Sequence, residues 1–174
     1  TGSSTLSLSV ANAGESSSTG FEMEMLALAS ESLTFTGGLS YVNPEYDEYI
    51  DKALDPVTGL PVNVDLSDRK FANTPEWNAN LGVQYETGLN SGGTLRARAD
   101  VAYKDEVFYS NNDTSPGFDS THEDGYTRVD AGVTYITAGD QWEFSLYGKN
   151  LTDKRAYAGA FDVQGFFGVV DTTY

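Results

Sequence analysis

An alternating segment near the C-terminus constrains the fold of this chain more than any other feature. It places Trp142, Phe144, Leu146 and Gly148 in alternation with Glu143, Ser145, Tyr147 and Lys149. A period of two puts successive side chains on opposite faces of a β-strand. This strand therefore separates an apolar medium from an aqueous one. The polar run from Asn150 to Asp153 predicts where the strand ends.

The same period recurs upstream. Alternation predicts further strands from Gly20 to Ala29, Leu33 to Tyr41, Trp77 to Glu86, Thr94 to Tyr103 and Arg128 to Tyr135. Their apolar sides carry Phe35, Leu39, Leu81, Val83, Leu95, Val101, Val133, Phe144 and Leu146. Each strand thus has one apolar and one polar face, which is typical of a sheet with different media on its two sides.

Short turns and long polar connections alternate along the chain. The long ones run from Asn43 to Lys70 and from Lys104 to Gly125. Outer-membrane barrels combine short periplasmic turns with long extracellular loops. Aromatic residues near the strand ends are candidates for girdles at the membrane boundaries. These residues are Tyr41, Trp77, Tyr85, Tyr103, Tyr135 and Trp142. Aromatic residues also lie at the edges of the cores of soluble β-sandwiches, which is the alternative interpretation. We therefore predict an all-β fold, an antiparallel transmembrane β-barrel segment with its long loops outside the cell.

Composition excludes several classes of function. Ten Lys and Arg against 26 Asp and Glu give a formal charge of -16, which argues against a nucleic-acid partner because phosphates require a basic surface. The chain has no Cys, so it can form neither a disulfide framework nor a thiolate metal site. Mean hydropathy is -0.37, and no apolar run is long enough for a transmembrane helix.

Two groups of residues are the candidate functional positions of such a barrel. The polar faces are predicted to line the lumen through Glu22, Glu24, Arg96, Arg98, Asp100, Arg128, Asp130, Glu143 and Lys149. Tyr46, Tyr49 and Phe71 in the first long segment are candidate ligand contacts, because exposed aromatic rings can stack on planar or sugar-like ligands. Structural ion pairs in the first group and local loop packing in the second are the alternative interpretations.

The residues give little sign of catalysis. His122 is the single histidine and has no His or Cys companion. It is predicted to be a solvated loop residue, because a metal cage or a Ser-His-Asp triad would need partners that the chain hardly offers. The acidic series Asp47, Glu48, Asp51 and Asp55 could ligate calcium, but its spacing is not that of an EF-hand. We expect no catalytic residue, no resident metal and no cofactor.

Charge alternation also suggests a register for two neighbouring strands. In an antiparallel pair the numbers of opposed residues have a constant sum. Setting Asp100 opposite Arg128 also sets Arg98 opposite Asp130, so this register would form two ion pairs, with Lys149 reaching Asp130 from the next strand.

Several blocks of the sequence resemble one known family. They are Asn12-Ala13-Gly14, the segment from Gly20 to Glu24, the segment from Leu33 to Tyr41, Asn73-Thr74-Pro75-Glu76-Trp77, and the ending Asn150-Leu151-Thr152-Asp153. In order and spacing, from about Val10 to Tyr157, these blocks resemble the C-terminal part of the barrel of TonB-dependent outer-membrane receptors. No single block is specific, whereas their order is.

The resemblance implies a transporter in the outer membrane of a Gram-negative cell. Such a receptor has about 22 strands around a plug domain and imports a scarce ligand, such as a ferric siderophore or another bulky nutrient, with a TonB-type energy-coupling protein. Its partners would be membrane lipid, the rest of the barrel and plug, the coupling protein and the small-molecule ligand. We interpret residues 1–174 as a single region of about six to eight strands that lacks the plug and the final strand. A small non-transporting barrel or a surface β-protein with a structural or adhesive role is the alternative.

Overall fold

The computed structural model of this chain describes residues 14–55, 57–111, 121–162 and 170–173. Its main element is a six-stranded antiparallel sheet. The strands, in their order across the sheet, are β1 (Glu15–Leu28), β2 (Leu33–Glu48), β5 (Trp77–Gly88), β6 (Thr94–Lys104), β9 (Tyr126–Ile136) and β10 (Glu143–Gly148). The six predicted strands and the all-β class are confirmed.

Three two-stranded ladders accompany the sheet. They pair β3 (Ile50–Leu54) with β4 (Pro61–Asp65), β7 (Val107–Phe108) with β8 (His122–Glu123), and β11 (Gly159–Asp162) with β12 (Val170–Thr173). The first two lie within the long connections, whereas the short connections follow β1, β5 and β9. A 3-10 turn over Ala138–Asp140 forms part of the third short connection. In the described ranges, no helix is long and apolar enough to cross a membrane.

The register places the two predicted faces on opposite sides of the sheet. All nine predicted apolar positions share one face, as rows such as Phe35–Val83–Ala99 illustrate. That face is largely uncovered, since the exposed fraction is 45% for Leu81 and 75% for Leu146. The most buried described side chains are instead Val107, Thr121 and Glu123, in the second long connection. A single-layer sheet of this kind needs another medium or element against its apolar face.

The prediction of one long loop from Asn43 to Lys70 is wrong in part, because the segment contains strands. Strand β2 continues to Glu48 and stays paired with β1 there, and the β3–β4 hairpin follows. The apolar face that carries Leu39 and Tyr41 continues in this extension with Asn43 and Glu45, so the hydropathy pattern ends there although backbone pairing continues. Pro44 is compatible with the β2 extension although it has no N–H to donate. Val42 donates its N–H towards β5, and the nitrogen of Pro44 faces the same side. It lies beyond the end of β5, so no ladder hydrogen bond is lost.

Candidate functional site

The polar face of the sheet carries most of the predicted lumen residues. The register puts eight of them on this face, namely Glu22, Glu24, Arg96, Arg98, Asp100, Arg128, Asp130 and Glu143. The ninth, Lys149, follows the last residue of β10 and lies outside the strand. The sequence period thus identified a common face, and its assignment to a lumen stays a prediction.

Two of the arginines on this face are held in ion pairs. Arg96 Nε lies 2.6 Å from Glu86 Oε2 across the β5–β6 ladder. Arg98 donates from Nε to Asp100 Oδ2 at 2.8 Å, within its own strand. Glu86 was missed as a partner, although the short turn between β5 and β6 sets it opposite Arg96. These two pairs match the charges of Arg96 and Arg98 on the polar face.

The predicted pairing of Asp100 with Arg128 is wrong. The ladder sets Asp100 opposite Asp130, and it sets Arg128 opposite Ala102 and Arg98 opposite Gly132. A shift of two residues keeps each side chain on its face, so the alternation could not distinguish the two registers.

The observed register has a clear advantage in backbone pairing. It opposes all 11 residues of β6 to all 11 residues of β9. Cross-strand charge pairs contribute only about 0.2 to 1 kcal/mol each, so a complete ladder outweighs them. The two opposed carboxylates each have a separate hydrogen-bond donor, because Asp100 binds Arg98 and Asp130 accepts the backbone N–H of Asn150 at 2.7 Å.

The predicted contact between Lys149 and Asp130 is replaced by this backbone hydrogen bond. Among the described residues, no ion pair joins the two side chains. Leu151 also donates its backbone N–H to the Val129 carbonyl at 2.7 Å. The polar ending of β10 is therefore fixed to β9 at two successive residues.

Gly82 lies under the Arg98–Asp100 ion pair on the polar face. A Cβ at this position would be 2.5 Å from Thr36 Oγ1 and 2.8 Å from Asp100 Oδ1. We expect Gly82→Ala to destabilise the sheet by about 1 to 3 kcal/mol, because the ion pair must shift to admit the methyl group. The midpoint of urea unfolding of the full receptor, followed by heat-modifiable electrophoretic mobility, measures the change.

Gly88 provides the matched control for that substitution. It lies on the same strand and face, and a Cβ there meets nothing within 4 Å. Gly88→Ala should leave the midpoint unchanged or raise it slightly, since Ala costs less backbone entropy on folding. Equal midpoints for the two variants would contradict the packing assigned to Gly82.

A cavity of about 580 Å³ lies where the long connections meet the sheet. We refer to it as the loop-end cavity. Its walls are the extension of β2 over residues 43–46, the segment 67–76 and the segment 105–108. It contains both signs of charge, with Arg69 and Lys70 among five acidic residues, Glu45, Asp68, Glu76, Asp105 and Glu106.

The three candidate ligand contacts are brought together at this cavity. The rings of Tyr46 and Phe71 stack with centroids 4.0 Å apart, and the ring centroid of Tyr49 lies 4.9 Å from that of Tyr46. Tyr46 and Phe71 line the cavity, whereas Tyr49 does not. All three are half-buried, so they support the loop while leaving ring surface accessible.

Two acidic residues of the first long connection, Asp55 and Asp65, accept hydrogen bonds within turns. Hydrogen bonds, first from the Thr58 backbone, then from its hydroxyl and the Val57 backbone, hold the pKa of Asp55 below its ordinary value. The Ser67 hydroxyl and backbone N–H likewise lower the pKa of Asp65. In the described part of the chain, no group of three or more His, Asp or Glu side chains is arranged to hold a metal ion. The calcium interpretation therefore has no support there.

A second cluster ties the second long connection to the segment after β10. Glu123 is only 4% exposed, and its Oε1 lies 2.6 Å from Lys154 Nζ. Its Oε2 accepts the backbone N–H of Tyr157 at 3.0 Å, while Tyr109 donates its hydroxyl to the Tyr157 carbonyl at 2.7 Å. We call these four residues the loop junction. Sequence reasoning did not identify it.

His122 lies beside this junction and is only partly solvated. Its side chain is 31% exposed, its ring stacks on Phe108 at 5.6 Å between centroids, and Nε2 lies 3.3 Å from Asp124 Oδ1. It therefore has a packing role in the β7–β8 ladder. The part of the second long connection over residues 112–120 lies outside the described residues.

A single-layer antiparallel sheet with one apolar and one polar face is the geometry of a barrel wall. The family model described as TonB dependent receptor-like, beta-barrel matches residues 1–151. No match was found among curated proteins or among solved structures. Because the family match spans most of the sequence, the chain belongs to the TonB-dependent receptor family, whose barrels are those of outer-membrane transporters rather than enzymes.

Proposed function

We propose that the chain is the C-terminal barrel portion of an energy-coupled receptor that imports a scarce ligand through a Gram-negative outer membrane. The observation that carries this proposal is the continuous, uncovered apolar face of a sheet whose other face is charged and ion-paired. Such a face is stable in contact with lipid, and the charged face suits a hydrated lumen that holds the plug.

The spacing of aromatic residues on the apolar face agrees with a membrane boundary at each end. Phe21, Tyr41 and Trp77 form one row near the long connections, with ring centroids of Tyr41 and Trp77 4.5 Å apart. Tyr85 and Tyr135 lie near the short turns. Trp77 and Tyr85 are about 26 Å apart along β5 at roughly 3.3 Å per residue. With a strand tilt of about 40°, that is a height of about 20 Å, close to the apolar band of such barrels.

The loop-end cavity is the proposed first contact for the ligand. Tyr46 and Phe71 offer ring faces to a planar or sugar-like group, and the cavity wall carries charges of both signs. A ferric siderophore combines planar groups with charged ones, so it is the proposed ligand class, with other bulky nutrients as alternatives. Energy would come from a TonB-type protein acting on the plug.

Uptake by intact cells tests this function. Cells that express the full receptor should accumulate one or more iron-55-labelled siderophores from a panel, and removal of the energy-coupling protein should abolish that accumulation. Tyr46→Ala should lower it, while Tyr46→Phe should restore it because the stacked ring is retained. Receptor-independent accumulation of every compound would reject import of ferric siderophores.

The proposed topology predicts which residues face the outside of the cell. Val57, in the β3–β4 connection, is 90% exposed, and Asn90 lies in the short turn after β5. In the full receptor with any other cysteines removed, Val57→Cys should react with an impermeant thiol reagent on intact cells, whereas Asn90→Cys should react only after lysis. The reverse pattern would overturn the topology.

A further inference from the structure

A hollow of about 260 Å³ lies on the polar face of the sheet, near the end that bears the long connections. Its lining includes Asn78, Asn80, Ala102, Lys104, Tyr126 and Arg128, and we call it the Ala102 hollow. It is separate from the loop-end cavity, since the two share no lining residue.

The strand register explains why a hollow forms here. One row across the sheet is Asn80–Ala102–Arg128, and the next is Asn78–Lys104–Tyr126. Ala102 is the smallest of the six side chains and lies at the centre of its row. Longer polar side chains surround it, so the sheet has a depression there whose rim is made of hydrogen-bonding groups.

The charge of the rim is positive. The described ion pairs use Arg96, Arg98 and Lys154, and none of those pairs includes Lys104 or Arg128. The nearby carboxylates of the same face have other partners, because Asp100 binds Arg98 and Asp130 accepts the Asn150 N–H. Two cations that form no ion pair among the described residues thus border one small hollow in a chain of formal charge -16.

The remaining rim groups suit the same kind of ligand. The amides of Asn78 and Asn80 and the hydroxyl of Tyr126 can each donate a hydrogen bond, and no carboxylate lines the hollow. Guanidinium and ammonium groups bind carboxylate and phosphate oxygens through charge-assisted hydrogen bonds. A neutral or cationic group would leave both cations uncompensated.

We propose that the Ala102 hollow binds an acidic group, a carboxylate or a phosphate, of a small molecule that passes along the lumen wall. The inference deepens the proposed function: passage through the lumen rests on import, whereas anion binding is a property of the hollow itself. Its volume fits one acidic group of a larger ligand. Lys104 and Arg128 would hold this group between β6 and β9.

Charge-selective modification of a cysteine in the hollow tests the proposal without transport. The full receptor, purified in detergent and freed of other cysteines, would carry Ala102→Cys and react with an anionic and a cationic methanethiosulfonate reagent of similar size. We expect Lys104→Gln combined with Arg128→Gln to lower the anionic-to-cationic rate ratio by about tenfold, since two nearby charges act weakly screened at this range. Citrate and inorganic phosphate, added as probes, should slow modification of Ala102→Cys when Lys104 and Arg128 are present. They should have no effect in the double-glutamine variant.

A matched cysteine separates this local effect from the general charge of the wall. Gln84→Cys lies on the same face of β5, opposite Arg98, whose charge is already paired with Asp100. Its rate ratio should change less than twofold in the double-glutamine background and should not respond to citrate or phosphate. A similar change at both cysteines would overturn the proposal.

Two further results would also overturn it. One is modification at Ala102→Cys that neither citrate nor phosphate slows. The other is a cysteine that is unreactive before any anion is added, which would mean that another part of the receptor fills the hollow. Anion protection together with failed siderophore uptake would instead retain the site and reject only import of those compounds.

Discussion

Replacing Lys154 with methionine is expected to weaken the loop junction by about 3 kcal/mol, at the low end of the range for a broken buried ion pair. The carboxylate of Glu123 is 4% exposed, so without Lys154 it stays in a poorly solvated place, where the Tyr157 N–H is its remaining hydrogen-bond donor among the described residues. The ammonium also lies 5.3 Å from the ring centroid of Tyr126, which adds a cation–π contact that methionine loses.

Hydrogen exchange at the Tyr157 amide measures this loss, because that N–H is protected by Glu123 itself. A change of about 3 kcal/mol corresponds to exchange faster by about 100-fold. Arg155→Met is the control, since Arg155 is an exposed neighbour on the same segment, and it should leave protection unchanged.

A double substitution tests whether the buried charge is the cause. Glu123→Gln together with Lys154→Met removes the uncompensated carboxylate and should recover part of the protection. Equal exchange in Lys154→Met and the unaltered receptor would show that the pair contributes nothing to the junction.

The position of Lys154 depends on the polar ending of β10. Asn150 has a positive φ of 51°, a conformation that Asn tolerates better than most residues. Its side chain accepts the Lys154 N–H at 3.1 Å and donates to the Lys154 carbonyl at 3.0 Å. The segment that ends the strand is therefore a turn that presents Lys154 to the second long connection.

Period-two alternation was sufficient to predict the six strands of the main sheet and which side chains share a face, but not the strands of the three small ladders. Each strand has apolar residues such as Leu81 and Val101 at every second position, and one shifted residue would bury the wrong face. The order of the sequence blocks additionally predicted the family. Both inferences use local patterns, which a single sequence displays in full.

The contacts that were predicted wrongly or missed join residues that are far apart in sequence. A local hydropathy pattern does not specify which distant residues pair. Asp100 keeps its face in either register with β9, so the choice rested on weak ion pairs and was wrong. Glu123 and Lys154 are far apart in sequence and lie outside any alternation. In the β2 extension, pairing with β1 persists because backbone hydrogen bonds do not require an apolar face.

The orientation of the barrel wall predicts a second large effect, at the middle of β5. Leu81 lies on the apolar face and is 45% exposed in the isolated sheet. If that face meets lipid, Leu81→Arg places a charge near the membrane midplane, at a cost of roughly 2 to 4 kcal/mol. We expect the full receptor with this substitution to assemble poorly, with a large fall in its folded, heat-modifiable form in outer-membrane fractions.

Asn80→Arg is the matched test of the same idea, one residue away. Asn80 lies on the polar face and is exposed, so an arginine there would keep its charge in the predicted hydrated lumen. It should assemble nearly as well as the unaltered receptor, even though the added cation borders the Ala102 hollow. Similar assembly of the two variants would mean that the apolar face does not contact lipid, and a larger defect for Asn80→Arg would invert the faces. The contrast between neighbouring residues is decisive because strand propensity, backbone pairing and distance from the turns are almost the same for both, which leaves the medium on each side as the difference.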